Sequence, residues 1–335
     1  MPSMAIKVTH FQRRPVPGVF SMEQLFVDLR KSLASDFVFC ANYCRFYSQG
    51  VIPRLRDTLR AGGLQGDINH VTGDVHYLTY FLNRRRTILT IHDCVTLERL
   101  RGLRRFLFWL FWYWLPEKRC VRIVVISEAT RLQVLKHIRC DPGKVRVIHN
   151  HVADDFRPSD CRFNEKRPRV LHIGTASNKN LERHAAALEG IHCEFVIIGR
   201  LSNLQRVELD RRSISYQNYV DLSISALVDQ YEQCDLVLFA STYEGFGLPI
   251  VEAQAVGRPI ISSDLWSMPE VAGGGACLVN PYEVKSIRNG VLRVIQDADY
   301  RNELIRLGYQ NVKRFKLENT AAQYAELYRE VFAQS

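Results

Sequence analysis

Residues Ser241-Thr-Tyr-Glu-Gly-Phe-Gly-Leu-Pro-Ile-Val-Glu-Ala-Gln-Ala-Val-Gly257 decide how this 335-residue chain is read. They follow a short apolar run, Asp235-Leu-Val-Leu-Phe-Ala240, bounded like a buried strand. Pro249 suits the first turn of a helix and Gly257 the position just past its end, so 249–256 reads as a short helix. Strand, glycine-bearing turn and helix start follow in that order. A helix start presents backbone N–H groups and the positive end of a dipole, which suits a diphosphate. Glu244 falls in the turn and Glu252 on the first turns of the helix. A carboxylate accepts from the vicinal hydroxyls of a sugar or ribose. Either glutamate alone reads as a cap or a solvated side chain. Together with Gly245, Phe246, Gly247, Leu248 and the preceding strand, they describe a site for a sugar nucleotide.

Working outward, the same alternation repeats along the chain. Short strands are expected at Ile6–Phe11, Phe37–Ala41, Ile68–Val71, Thr87–Ile91, Val121–Ile126 and Val145–Ile148, with helical or loop segments between them. A second series covers Val170–Ile173, Phe195–Ile198, Ile214–Gln217, Leu236–Ala240 and Pro259–Ser262. Ile224, Leu227, Val228 and Tyr231 mark one apolar helix face. Such alternation predicts an α/β fold with parallel sheets, whose ligands bind beyond the carboxyl ends of the strands. Polar residues dominate 154–168, where the break between two domains is expected.

Composition narrows the class. A hydrophobic content of 47% with 24% charged residues belongs to a globular chain. The longest strongly apolar run, Phe106–Leu115, is too short to span a bilayer, and the first residues lack a secretory signal pattern. Nine cysteines without paired spacing predict free thiols and a reducing, cytoplasmic setting. The net charge of +10 is uneven: residues 1–150 hold 24 Lys and Arg against 11 Asp and Glu, and the remainder 21 against 24. A basic first half without any nucleic-acid-binding motif points to an anionic membrane surface or an acidic acceptor rather than to nucleic acid. Residues 98–119 hold three of the four tryptophans and a basic rim including Arg101, Arg104 and Arg105, as an interfacial segment would; a core helix under the first sheet is the alternative.

The Glu244-x7-Glu252 stretch resembles the signature of retaining glycosyltransferases of the GT-B fold, specifically glycosyltransferase family 4. Arg169-Val-Leu-His-Ile-Gly174 followed by Lys179-Asn180-Leu181, then Glu194–Gly199 and Met268-Pro-Glu-Val-Ala272, fall in that family's order, so 166–330 match well and the first 150 residues loosely. The resemblance implies two Rossmann-like domains facing a cleft. An acceptor-side domain would cover 1–155 and a nucleotide-sugar domain 166–315, with a last helix at about 319–333 packing back on the first. It also implies transfer of a sugar from a nucleotide-sugar to an acceptor hydroxyl with retention, through an oxocarbenium-like transition state. Glu244 would bind the donor sugar, Glu252 the ribose, and Lys179, at the start of a helix, the diphosphate together with the 245–248 backbone. His92, at the end of the Thr87–Ile91 strand, would meet the sugar from the first domain. Gly174 belongs to the phosphate loop. The arginine that many members carry after it is Thr175 in this chain, so phosphate binding would rest on Lys179 or recruit Arg200.

The family's glycine pair after the first strand is reduced to Gly18, and with no G-x-G-x-x-G a nicotinamide or flavin cofactor is not expected. His70, Asp74, His76 and His92 match no metal motif, so no metal is expected. His149-Asn-His151 reads as interdomain structure. A glycan or polyprenyl-linked acceptor, in cell-surface polysaccharide or glycolipid synthesis on the cytoplasmic face of a membrane, fits the basic first half. The same fold also hosts epimerases and phosphorylases, and a non-catalytic nucleotide-sugar-binding protein is a further alternative.

Overall fold

The computed structural model describes residues 5–15, 21–160 and 162–335. The chain forms two compact units, one of residues 1–151 with 317–335 and one of residues 152–316. Both are α/β, as the alternation of strands and helices predicts.

In the first unit six parallel strands, β1 (Ile6–Gln12), β2 (Phe37–Tyr43), β3 (Ile68–Val71), β4 (Thr87–Ile91), β5 (Arg122–Val125) and β6 (Val145–Val147), lie in the order β2-β1-β3-β4-β5-β6. Every residue of β3 and β4 is buried, because helices cover both faces of a parallel sheet. The Leu317–Ala333 helix belongs to this unit. Its Leu327, Tyr328 and Val331 are fully buried in one cluster with Val8, Ile68 and Ile88. Tyr328 places its hydroxyl 2.8 Å from His70 Nδ1 and 3.0 Å from His10 Nε2, while His70 Nε2 lies 2.7 Å from Thr90 Oγ1. Burial pushes His70 down to about 3, so these histidines are neutral core residues.

The second unit holds β7 (Arg169–Ile173), β8 (Glu194–Ile198), β9 (Tyr216–Tyr219), β10 (Leu236–Phe239), β11 (Ile260–Ser263) and β12 (Cys277–Val279), all parallel, in the order β12-β11-β10-β7-β8-β9. The chain builds outward from β7 to β9, then returns to β10 on the other side of β7. Loops leaving the carboxyl ends of β7 and β10 therefore diverge, and a crevice opens between them.

Two strand expectations need correction. β9 starts at Tyr216, not Ile214: Ser213 turns with φ 53°, and Ile214 N–H closes the preceding helix on Leu209 O. β12 was not expected, since three residues between Gly275 and Pro281 carry too little pattern. The described residues of the polar stretch 154–168 belong to the second unit. Asp235 accepts from Asn164 N–H and Arg169 N–H, each at 2.7 Å, and Phe156 packs edge-on against Tyr231.

Candidate active site

Two loops meet at the reversal point of the second sheet. The loop after β7 carries Gly174, Thr175 and Lys179; the loop after β10 carries Glu244 to Leu248. They are stitched by backbone and side chain. Thr242 N–H donates to Asn178 O at 2.8 Å, and the Asn178 amide donates to Tyr243 O at 3.0 Å. Asn180, buried and with φ 65°, donates to Ala240 O and Pro281 O. Lys179 and Glu244 consequently face each other, Nζ to Oε1 at 2.7 Å, with Nζ also 4.8 Å from the Phe239 ring centroid. The pair is partly buried, so water screens it less than a surface pair.

Gly174 makes this geometry accessible. It has φ +92°, and a Cβ there would sit 2.9 Å from Lys179 Cγ, so a side chain would displace the lysine stem. Lys179 closes a 3₁₀ turn, Ser177–Lys179, and the helix Leu181–Leu188 begins directly after it with the left-handed Asn180 as its N-cap.

The Leu248–Val256 helix starts from Gly247, whose φ of +104° only glycine adopts without strain. Pro249 has no N–H and Ile250 N–H donates to Gly247 O, so an anion at this end must use the 245–248 backbone. Ser267 fixes that stretch with its hydroxyl 3.0 Å from Glu244 O and 2.9 Å from Phe246 O, its single proton shared between the two carbonyls. The Phe246 side chain is buried edge-on against Phe315 and is structural; Leu248 is half-buried.

Glu252 lies partly buried on this helix, and Tyr231, fully buried, donates its hydroxyl to Glu252 Oε2 at 2.5 Å. Burial raises the Glu252 carboxyl to about 7, although the Tyr231 hydrogen bond and the Lys179 charge pull the other way. Tyr231 had read only as part of an apolar helix face, and nothing in its sequence context signals the hydroxyl's partner. Trp266 also escaped the sequence reading. It sits at φ 57°, rare for a bulky residue, with its indole N–H donating to Thr242 O and its ring 4.9 Å from Tyr243.

The remaining expected residues divide. Thr175 donates its hydroxyl to Arg200 O at 2.8 Å, so these two are neighbours, but the Arg200 side chain is 81% exposed and leans toward Asp221. Its guanidinium is not held against Lys179. Gly18 lies outside the described residues. His92, in the first unit, follows β4; its Nε2 donates to Thr72 O at 2.7 Å, leaving Nδ1 as the acceptor, while Asp93 caps the next turn by accepting from Val95 N–H. His76 bonds Trp112 O and Asp74 pairs with Arg13, so the candidate metal residues have structural partners. A cavity of about 390 Å³ lined by Lys7, Gly66 and Asp67 sits at the amino ends of β1 and β3, opposite to where parallel sheets bind ligands.

A family model described as Glycosyl transferases group 1 matches residues 167–297, and one described as Glycosyltransferase Family 4 matches residues 31–156. The O-antigen chain mannosyltransferase RfbU of Salmonella typhimurium is 25% identical over 243 residues, 69% of this chain and 68% of that protein. The serotype-specific mannosyltransferase WbdA of Escherichia coli is 35% identical over 265 residues, 70% of this chain but 32% of that protein. This chain thus spans about a third of WbdA. Sucrose-phosphate synthase from Thermosynechococcus elongatus superposes with a TM-score of 0.79 at 17% identity, covering 98% of this chain and all of that one. HepE from Anabaena, solved with UDP-glucose, superposes with a TM-score of 0.79 at 15% identity over 97% of this chain and all of that one. With a family model matched in each half and a GT-B fold in its structural neighbours, the chain belongs to the family 4 glycosyltransferases.

Proposed function

We propose that the chain moves a sugar from a nucleotide-sugar to the hydroxyl of a glycan or polyprenyl-linked acceptor, with retention, in the synthesis of a cell-surface polysaccharide or glycolipid. The observation that carries this reading is the Lys179–Glu244 pair at the reversal point of the second sheet, beside the Leu248 helix start. A nucleoside diphosphate takes Glu244's place at Lys179 and uses the 245–248 backbone. Glu244, released, accepts from the sugar hydroxyls. Glu252, held by Tyr231, accepts from the ribose. His92 acts on the sugar as an acceptor through Nδ1. The departing phosphate takes the acceptor's proton, so no side chain is assigned as general base. The diphosphate's charge is matched by organic groups, and turnover proceeds without a divalent metal.

The mannosyltransferase names of the relatives support mannose as the sugar, and the UDP-glucose of HepE supports a nucleotide diphosphate handle. The basic first half supports work at the cytoplasmic face of an anionic membrane. Thermal-shift screening against UDP-, GDP-, ADP- and dTDP-sugars tests the donor, since a ligand that binds only the folded state raises its stability. The hit is then offered with acceptors and the product's anomeric configuration is read by NMR. A donor that is hydrolysed or epimerised without an acceptor, or an inverted product, overturns the proposal.

A further inference from the structure

The helix α2 (Val51–Gly62) of the first unit, next in the chain after α1 (Ser21–Ser32), is built inside out. Its buried side carries Asp57 and Thr58: Asp57 accepts from Arg45 N–H and Phe46 N–H, and the Thr58 hydroxyl donates to Arg54 O. Its outer side carries Val51, Ile52, Leu55 and Leu59, which are 78%, 65%, 50% and 57% exposed. An ordinary surface helix turns such residues inward. These four form one stripe about 12 Å long, with Arg56 exposed at its edge.

A second exposed apolar face lies beside it. Leu103, Phe106, Leu107 and Phe111 are 71%, 53%, 42% and 47% exposed on the segment that runs from Gly102 through the π turn Leu110–Trp114. The two faces flank the 3₁₀ turn His76–Phe81. The Arg54 guanidinium stacks 4.7 Å over the Trp112 ring, the Tyr80 hydroxyl donates to Phe111 O, and Phe81, itself half exposed, packs against Gly62. The charge around this surface is mainly positive. Residues 75–92 and 99–116 contain seven arginines and no Asp or Glu, the single acid of α2, Asp57, is buried, and Glu98, just before the second segment, is paired with His137. An apolar stripe with a mainly basic rim complements acyl chains beneath anionic headgroups. Among the described residues no helix is long and apolar enough to cross a membrane.

We propose that α2, with the 102–111 face beside it, docks this chain on an anionic phospholipid surface, the apolar stripe entering the acyl boundary and Arg56, Arg84, Arg85 and Arg101 meeting the headgroups. This deepens the membrane-facing part of the function proposed above and rests on it. The 98–119 segment, for which membrane contact and core were both open, supplies both: its outer face is exposed, while Tyr113, Pro116 and Glu117 are buried.

The test is co-sedimentation with phosphatidylcholine vesicles, with and without roughly a third phosphatidylglycerol, at low and high salt. The full-length protein is compared with a variant carrying Val51→Ser, Ile52→Ser, Leu55→Ser and Leu59→Ser, and with one carrying Arg101→Gln, Arg104→Gln and Arg105→Gln. Circular dichroism and transfer to a soluble acceptor report folding and the active site. The expected result is selective binding to anionic vesicles that falls with salt, a loss of partitioning of about tenfold or more in the serine variant, and a smaller loss in the glutamine variant, all at unchanged fold and transfer. Wild-type binding that survives the serine changes overturns the role of α2 and leaves the membrane reading standing. No vesicle binding by wild type overturns both. A dimer in light scattering that the serine variant dissolves, without vesicle binding, makes the face a self-interface and overturns the proposal.

Discussion

The two units wind six parallel strands apiece, yet they dispose of their polar groups in opposite ways. In unit 152–316 the polar side chains at the sheet's reversal point turn to each other: Asn178, Lys179, Asn180, Glu244 and Ser267 tie two loops into one fixed arrangement. In the first unit α2 hides its carboxylate and shows water a row of aliphatic side chains. The first pattern suits a small ligand of defined shape. The second suits a large, soft one. Parallel architecture sets where loops diverge, and side chains alone decide which kind of ligand the ends receive.

Four experiments press on this division, beginning with the largest expected effect. Glu244→Gln removes the charge that faces Lys179 and the sugar; kcat is expected to fall about 10²–10³-fold while free nucleoside diphosphate still binds. Equal loss of diphosphate binding would erase the distinction between sugar and nucleotide contacts. His92→Ala, in the other unit, is expected to lower kcat roughly tenfold to a hundredfold. The same variant should leave diphosphate affinity unchanged by calorimetry; a change there would place nucleotide recognition in both units.

Glu252→Gln should raise the donor KM about tenfold, near 1.4 kcal/mol, with little change in kcat. The raised carboxyl adds a pH signature. The folded protein holds a proton on Glu252 between pH 4.5 and about 7 that the unfolded chain releases. This group's contribution to stability is therefore full below pH 4.5 and is lost as pH rises to 7. Donor binding needs the charged form and runs the other way, so donor KM should rise as pH falls from 8 to 6. In the glutamine variant that slope should vanish. A slope that persists would move the titrating group elsewhere. The smallest effect is none at all: rates with excess chelator should match those without, and full loss restored by Mg²⁺ would replace the organic charge match with a metal.

Much of the second unit was legible because backbone demands leave marks in sequence. Pro249 and Gly257 announce the two ends of the helix observed at Leu248–Val256, where Gly257 is the left-handed C-cap. The strands β3 and β4 were legible as short, wholly buried runs. What stayed hidden depends on pairing over distance. Tyr231 looks like any apolar-face residue until the 248–256 helix brings Glu252 to its hydroxyl, 21 positions away. Asn180 passes for a helix cap, while its side chain joins Ala240 and Pro281 across the loops. In the first unit α2 shows apolar residues at helical spacing, and spacing alone does not say which side faces out; the buried Asp57 settles that only when its backbone donors are seen.

The Lys179–Glu244 contact has a consequence for selectivity. With the lysine matched by a carboxylate, the pair is electrically quiet. Inorganic phosphate or sulfate can draw Lys179 away only by stranding Glu244 next to a second negative group. A sugar nucleotide offers both halves of the exchange: an anion for the lysine and hydroxyls for the glutamate. Under the proposed function, the pair would disfavour anions that bring no hydroxyls and favour a molecule that presents charge and sugar together.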